Sequence, residues 1–116
     1  MIYVTQVPAN FDHVTQTWTP RIDLAPLREF GDHKVLLPPG HNFADARPLV
    51  PMMTRGLVEF DPRSDYLLAL GDPLVMAVAM GIVSRRHPTY QLLKWDRFKH
   101  RYEVFTVLHE ETAGAQ

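Results

Sequence analysis

The chain has 116 residues, no cysteine, and twelve lysines and arginines against thirteen aspartates and glutamates, a formal charge of −1 with the six histidines neutral. At 46% hydrophobic and 22% charged, the composition is that of an average globular domain, which excludes disordered, collagen-like and coiled-coil classes. Without cysteine there is no thiol nucleophile, disulfide, iron–sulfur cluster or cysteine zinc site, and a chain of this length buries roughly two thirds of its unfolded surface in one core.

Residues 1–7 are β-branched or aromatic at Ile2, Tyr3, Val4, Thr5 and Val7, which predicts an opening strand. With no basic region leading into a long apolar run, they do not read as a signal peptide. Residues 8–21, punctuated by Pro8, Asn10, Asp12 and Pro20, read as a loop with a brief extended stretch near Thr15–Thr19, held to the body by Trp18. From Asp23 to Gly31 the signals are those of a short helix: a capping Asp23, Pro26 in the first turn, and Gly31 as a left-handed stop. Leu24, Leu27 and Phe30 then face the core. His33 to Leu37 reads as a short strand ended by Pro38-Pro39-Gly40, and residues 38–48 as a loop. Pro48 and Pro51 place the next helix at Leu49 to Glu59, followed by a turn at Asp61-Pro62-Arg63-Ser64.

The second half is more regular. Asp65 to Leu70 is a continuous apolar run, the pattern of a strand covered on both faces. Gly71-Asp72-Pro73 combines a tight turn, an N-cap and a proline at the first helical position, so a helix runs from Pro73 to Arg86 and is ended by Pro88. Its apolar residues lie nearly all round, which predicts burial on more than one side, with Ala77 and Gly81 forming a small stripe open to close approach. Tyr90 to Arg97 is a strand, Phe98 to Arg101 a turn, and Tyr102 to Leu108 a second, antiparallel strand. Leu93 and Trp95 share a face with Arg97, and Leu92, Lys94 and Asp96 share the other. Strand 65–70, the helix and strand 90–97 form a right-handed parallel βαβ unit. The expected fold is α/β, bordering on α+β: one small domain over residues 1–109 with a mixed sheet, a βαβ unit, a C-terminal antiparallel hairpin and two or three helices, then a disordered tail over 110–116.

The longest apolar stretch, Pro73 to Val83, is far short of the roughly 20 residues a spanning helix needs, so no membrane is expected. His13, His33, His41, His87, His100 and His109 never fall at a metal-ligand spacing, and no metal or cofactor is expected. Ser64 and Ser84 lie in no nucleophile motif. The carboxylates recur at no spacing that argues for paired acid–base duty. The Gly71-Asp72 helix start invites an anion, but the Asp72 carboxylate occupies the same amides, so a cap is favoured over a ligand site there.

Charge is unevenly spread. Residues 81–101 hold Arg85, Arg86, Lys94, Arg97, Lys99 and Arg101, half of all the basic residues, against Asp96 alone, interleaved with Tyr90, Trp95, Phe98 and Tyr102. Cations beside aromatic rings suit nucleic-acid backbone and base contacts, and a local charge excess of this size also attracts an acidic protein surface. Helix-dipole compensation and a solvated hairpin account for the same residues without a partner. Arg85 and Arg86 belong at the far end of the strand from Lys99 and Arg101, so the segment makes either one patch or two.

The block from Asp65 to Tyr102, with Tyr66-Leu-Leu-Ala-Leu-Gly-Asp-Pro73, its Ala-rich helix and Leu92-Leu-Lys-Trp-Asp-Arg97 before Arg101-Tyr102, resembles a group of small uncharacterised accessory proteins of tailed bacteriophages. Ile22-Asp23-Leu24-Ala25-Pro26 and Phe30-Gly31 resemble their amino-terminal half. The resemblance implies a phage protein acting inside a bacterium and carries over no catalytic residues. The expected function is non-enzymatic binding of a host macromolecule, first a host protein, through Arg85, Arg86, Lys94, Arg97, Lys99, Arg101, Trp95 and Phe98, in the bacterial cytoplasm. The alternatives are nucleic-acid binding by Lys94, Arg97, Lys99 and Arg101, and a small-ligand site or enzyme at Gly71 and Asp72. The apolar excess at Met76, Met80 and Val83 makes either a second core layer or a self-association face, so a homodimer is a further expectation.

Overall fold

The structure is a computed structural model and describes residues 1–39 and 46–109, with the backbone alone at residues 46 and 47. The expected tail over 110–116, and His41 with the loop around it, lie outside the described residues. The opening apolar run forms strand β1 (Ile2–Gln6), buried at all five residues. Two further short strands, β2 (Ala9–Asp12) and β3 (Thr17–Pro20), pair with each other, and β4 (His33–Leu37), β5 (Tyr66–Leu68), β6 (Thr89–Asp96) and β7 (Arg101–Leu108) follow. The main sheet has the order β4-β1-β5-β6-β7. Its first four strands are parallel, and β7 is antiparallel to β6. Helices α1 (Ala46–Gly56) and α2 (Pro73–Arg86) and a 3-10 helix (Ala25–Phe30) complete the fold. It is the mixed α/β sheet with a βαβ unit and a closing hairpin that the sequence predicts.

Alternation along the strands divides the core into two layers. Tyr3, Leu37, Leu67 and Tyr90 point to one face, against Leu49 and Met53 of α1 and Val75, Ala79 and Val83 of α2. Ile2, Val4, Leu68, Leu93 and Tyr102 point to the other, against Val7 and Leu27, with Ile22, Leu24 and Phe30 at the margin. Burying both faces of a parallel sheet is what makes β5 read as an unbroken apolar run. Only Tyr66–Leu68 of that run pairs as strand; beyond it, Leu70 bonds sideways to the Thr5 hydroxyl, which donates to its carbonyl (2.5 Å) and accepts from its amide (2.7 Å).

Three local expectations are corrected. Residues 8–21 are not a loop: β2 and β3 form a hairpin in which Trp18 packs on Phe11 with ring centroids 5.0 Å apart. Asp12 turns the chain by accepting from the amides of Val14 (2.8 Å) and Thr15 (3.4 Å). The helix expected at 49–59 begins earlier, at Ala46, and ends at Gly56. Pro48 sits in its first turn, where an amide has no partner to lose, and Pro51 gives up a single intrahelical bond. The segment after Asp23 is a 3-10 helix whose Asp23 accepts from the Ala25 amide at 2.9 Å, and Gly31 ends it at φ 122°.

The α2 helix keeps its predicted bounds and is covered on more than one side, by the sheet and by α1. Val75, Ala79 and Val83 are buried, whereas Ala77 and Gly81 are exposed and a side chain at Gly81 would meet nothing within 4 Å. Leu74, Val78, Met80 and Ile82 are partly buried beside its core residues, and the Ala77–Gly81 strip is left open. Of the two readings of the apolar excess, the core layer holds for Val83, which is buried, and Met80 is partly buried against it.

Candidate functional site

Two places concentrate the residues singled out in the sequence: the carboxyl ends of the parallel strands, where Gly71 and Asp72 lie, and the β6–β7 hairpin. In open parallel sheets, ligands gather where neighbouring crossovers leave in opposite directions, here between β1 and β5. That crevice is filled by Gln6. Its side chain donates to the Pro38 carbonyl (3.2 Å) and accepts from the Asp72 amide (3.0 Å), and it presses so close to Gly71 that a Cβ there would stand 2.5 Å from the Gln6 oxygen. Gly71 has φ 95°, a left-handed conformation that glycine adopts without strain. Asp72 accepts from the Leu74 amide at 2.8 Å, the expected N-cap of α2. The functional consequence is that Gly71 and Asp72 shape a junction already occupied by the protein's own side chain.

The hairpin is built from the turn outward. Asp96 accepts from the amides of Phe98 (2.9 Å) and Lys99 (3.1 Å), and His100 closes the turn at φ 53°. These amides, the Lys99 amide foremost, hold the Asp96 carboxyl below its ordinary value, with the Lys99 and Arg101 charges adding to the effect. Since β5 pairs only with Gln91 and Leu92 of β6, the outer half of the hairpin extends past its neighbour. On the face that carries Lys94, the cross-strand partners are Lys94 with Glu103 and Leu92 with Phe105.

Around that face, Lys94, Asp96, Arg97, Phe98, Glu103 and Phe105, with Trp95 at the edge, line a concavity of about 450 Å3. The Lys94 ammonium lies 6.0 Å from the Phe105 ring and the Arg97 guanidinium 5.6 Å from the Phe98 ring, both within cation–π range. Phe98 is 86% exposed. Lys99 and Arg101 are tied to Glu103, at 3.5 and 3.2 Å. Trp95 lies on the opposite face of the strand, edge-on to Tyr102 at 5.0 Å, where burial first, and Asp23 after it, pushes the Tyr102 hydroxyl up.

The predicted site residues therefore separate. Lys94, Arg97, Phe98, Lys99 and Arg101 come together at the hairpin. Arg97 lies in the turn, since β6 ends at Asp96, and so does not continue the Leu93–Trp95 face. Arg85 and Arg86 end α2 at the opposite end of β6, about 23 Å away at 3.3 Å per residue, and Arg86 reaches the Leu57 carbonyl at 3.4 Å. The basic segment makes two patches because a helix antiparallel to its following strand must end where that strand begins. Glu103 and Phe105 were missed. Counting back across the Phe98–Arg101 turn pairs them with Lys94 and Leu92, a signal present in the sequence once the turn is placed.

Among the described residues, no three His, Asp or Glu side chains are grouped to hold a metal, and no helix is long and apolar enough to cross a membrane. The fold and site define a small mixed α/β protein whose terminal hairpin presents cations on aromatic rings. The family described as Phage Pam3 gp32-like protein matches residues 1–108, and the chain belongs to that family of phage proteins. No curated protein and no solved structure matches it.

Proposed function

We propose that the protein acts without catalysis, in the cytoplasm of the bacterial host, by binding a host protein through the outer face of the β6–β7 hairpin. The observation that carries this is Phe98, a large apolar ring held almost wholly in solvent by a turn that Asp96 fixes, with the Arg97 guanidinium beside it. Aromatic and arginine side chains dominate the energetics of protein interfaces, and a turn pre-shaped by hydrogen bonds loses little entropy on docking. Nucleic acid is the second reading, favoured by the cations lying over rings. Lys99 and Arg101 share the single negative charge of Glu103, which leaves a net of three positive charges among these four cations and Glu103, so phosphate binding there would follow salt with a slope no steeper than about −3.

The test is capture from bacterial lysate, with and without nuclease, by the wild-type protein and by Phe98→Ala combined with Arg97→Ala. One stoichiometric protein that survives nuclease is expected, with its affinity for the double variant reduced about 30-fold or more, the effect of an interface hot spot. Recovery of nuclease-sensitive material alone transfers the assignment to nucleic acid. Equal capture by a variant with an unchanged circular dichroism spectrum removes the hairpin from the interface.

A further inference from the structure

The sheet has two edges, and they are not alike. β4 is five residues long, opens on His33 and Lys34, and runs into Pro38-Pro39, which have no amides to offer; charge, brevity and proline are the devices that keep an edge from pairing. β7 is eight residues long without proline or glycine. Its Val104, Phe105 and Leu108 are 45%, 51% and 59% exposed, and since neighbours alternate they lie on both faces.

The direction of its unused amides follows from one bond. The His109 amide donates to the Pro88 carbonyl at 2.7 Å, so in the antiparallel ladder Tyr90–Val107, Leu92–Phe105 and Lys94–Glu103 are the pairs that exchange hydrogen bonds. The amides and carbonyls of Tyr102, Val104, Thr106 and Leu108 point away from β6.

We propose that this edge is completed by the β7 strand of a second copy of the chain, antiparallel across a two-fold axis at Thr106, giving one continuous ten-stranded sheet. The charge and apolar pattern selects both the occupant and the register. With the axis at Thr106, Val104 faces the second copy's Leu108 and Phe105 faces its Val107, so each exposed apolar residue meets another. Glu103 faces His109, a carboxylate against an imidazole, and no like charges oppose. Moving the axis to Phe105 or to Val104 instead sets Glu103 against Val107 or Phe105. The arrangement is isologous, as a two-fold interface requires. It shares Glu103 and Phe105 with the lining of the hairpin concavity but sends the two Phe98 turns in opposite directions, so both remain open to a partner.

The absence of cysteine makes the test direct. The full chain is examined by sedimentation equilibrium up to about 100 μM, a concentration that saturates a Kd of micromolar order. It is expected to show a dimer mass. Under mild oxidation, Thr106→Cys is expected to give a covalent dimer, since paired residues on an axis have Cα atoms about 5.5 Å apart, within disulfide reach. Val35→Cys, on the other edge, stays uncrosslinked. Thr106→Pro removes an outward amide and no bond to β6, and is expected to give a monomer with an unchanged circular dichroism spectrum. A monomeric wild type at the highest concentration overturns the proposal. So does a dimer that Thr106→Cys fails to trap, whatever Thr106→Pro does, because the association would then lie elsewhere.

Discussion

At the scale of single residues, the chain turns twice by the same device. Asp12 and Asp96 each close a strand, accept from the amides two and three residues on, and are followed four residues on by a left-handed residue, Gln16 at φ 57° and His100 at φ 53°. Side-chain carboxylates that mimic a backbone turn in this way are a known property of aspartate. The second turn was legible because clear strands flank it; the first was obscured by Pro8 and Pro20, which sit at the ends of a two-stranded sheet where a missing amide breaks no ladder. Because the bonds hold the Asp96 carboxyl below its ordinary value of 3.8, its contribution to the turn is complete above that value and is lost as pH falls through the lower folded value. The amide resonances of Phe98 and Lys99 are therefore expected to move together with a midpoint below pH 3.8, and to stay still in Asp96→Asn. A midpoint at or above 3.8 would show that the carboxylate does not hold the turn.

At the scale of elements, α2 shows what periodicity decides and what it leaves open. The Gly71-Asp72-Pro73 start and the Pro88 stop fix its ends, and these were readable because capping and proline act within a few residues. How many sides are covered depends on what lies across space. An all-round apolar sequence suits a helix buried on several sides; here the sheet and α1 cover α2 between them and leave Ala77 and Gly81 outside. Gly81 is helical and its missing Cβ has open space before it, so Gly81→Ala is expected to stabilise the fold by about 0.5–1 kcal/mol in urea unfolding. A loss of stability would mean that this face is packed in solution. The site divides in the same way. The hairpin was legible as an element, and the tie of Lys99 and Arg101 to Glu103 is local, four and two residues apart in the chain. The pairing of Lys94 with Glu103 and of Leu92 with Phe105 depends instead on register, which a single strand does not carry.

For the whole molecule, the two core layers on opposite faces of the sheet share its strands and little else. Leu27 is fully buried beneath Ile2, Val4 and Leu68, and Met53 above Tyr3 and Leu67. Leu27→Ala and Met53→Ala are each expected to cost about 2–5 kcal/mol, and together to add within about 0.5 kcal/mol, as distant sites do. Urea unfolding followed by tryptophan fluorescence and by circular dichroism checks this; separate transitions from the two probes would show that the layer formed by the 3-10 helix unfolds on its own. The order of the strands carries a further consequence for how the molecule is made. β1, the earliest of these strands in the chain, is flanked by β4, then by β5, with β6 and β7 added beyond. Each later strand of the main sheet is thus added at an edge, and none has to push between strands that have already paired. With this strand order the sheet can be assembled in the order in which its strands emerge from the ribosome, without any existing strand pair being opened.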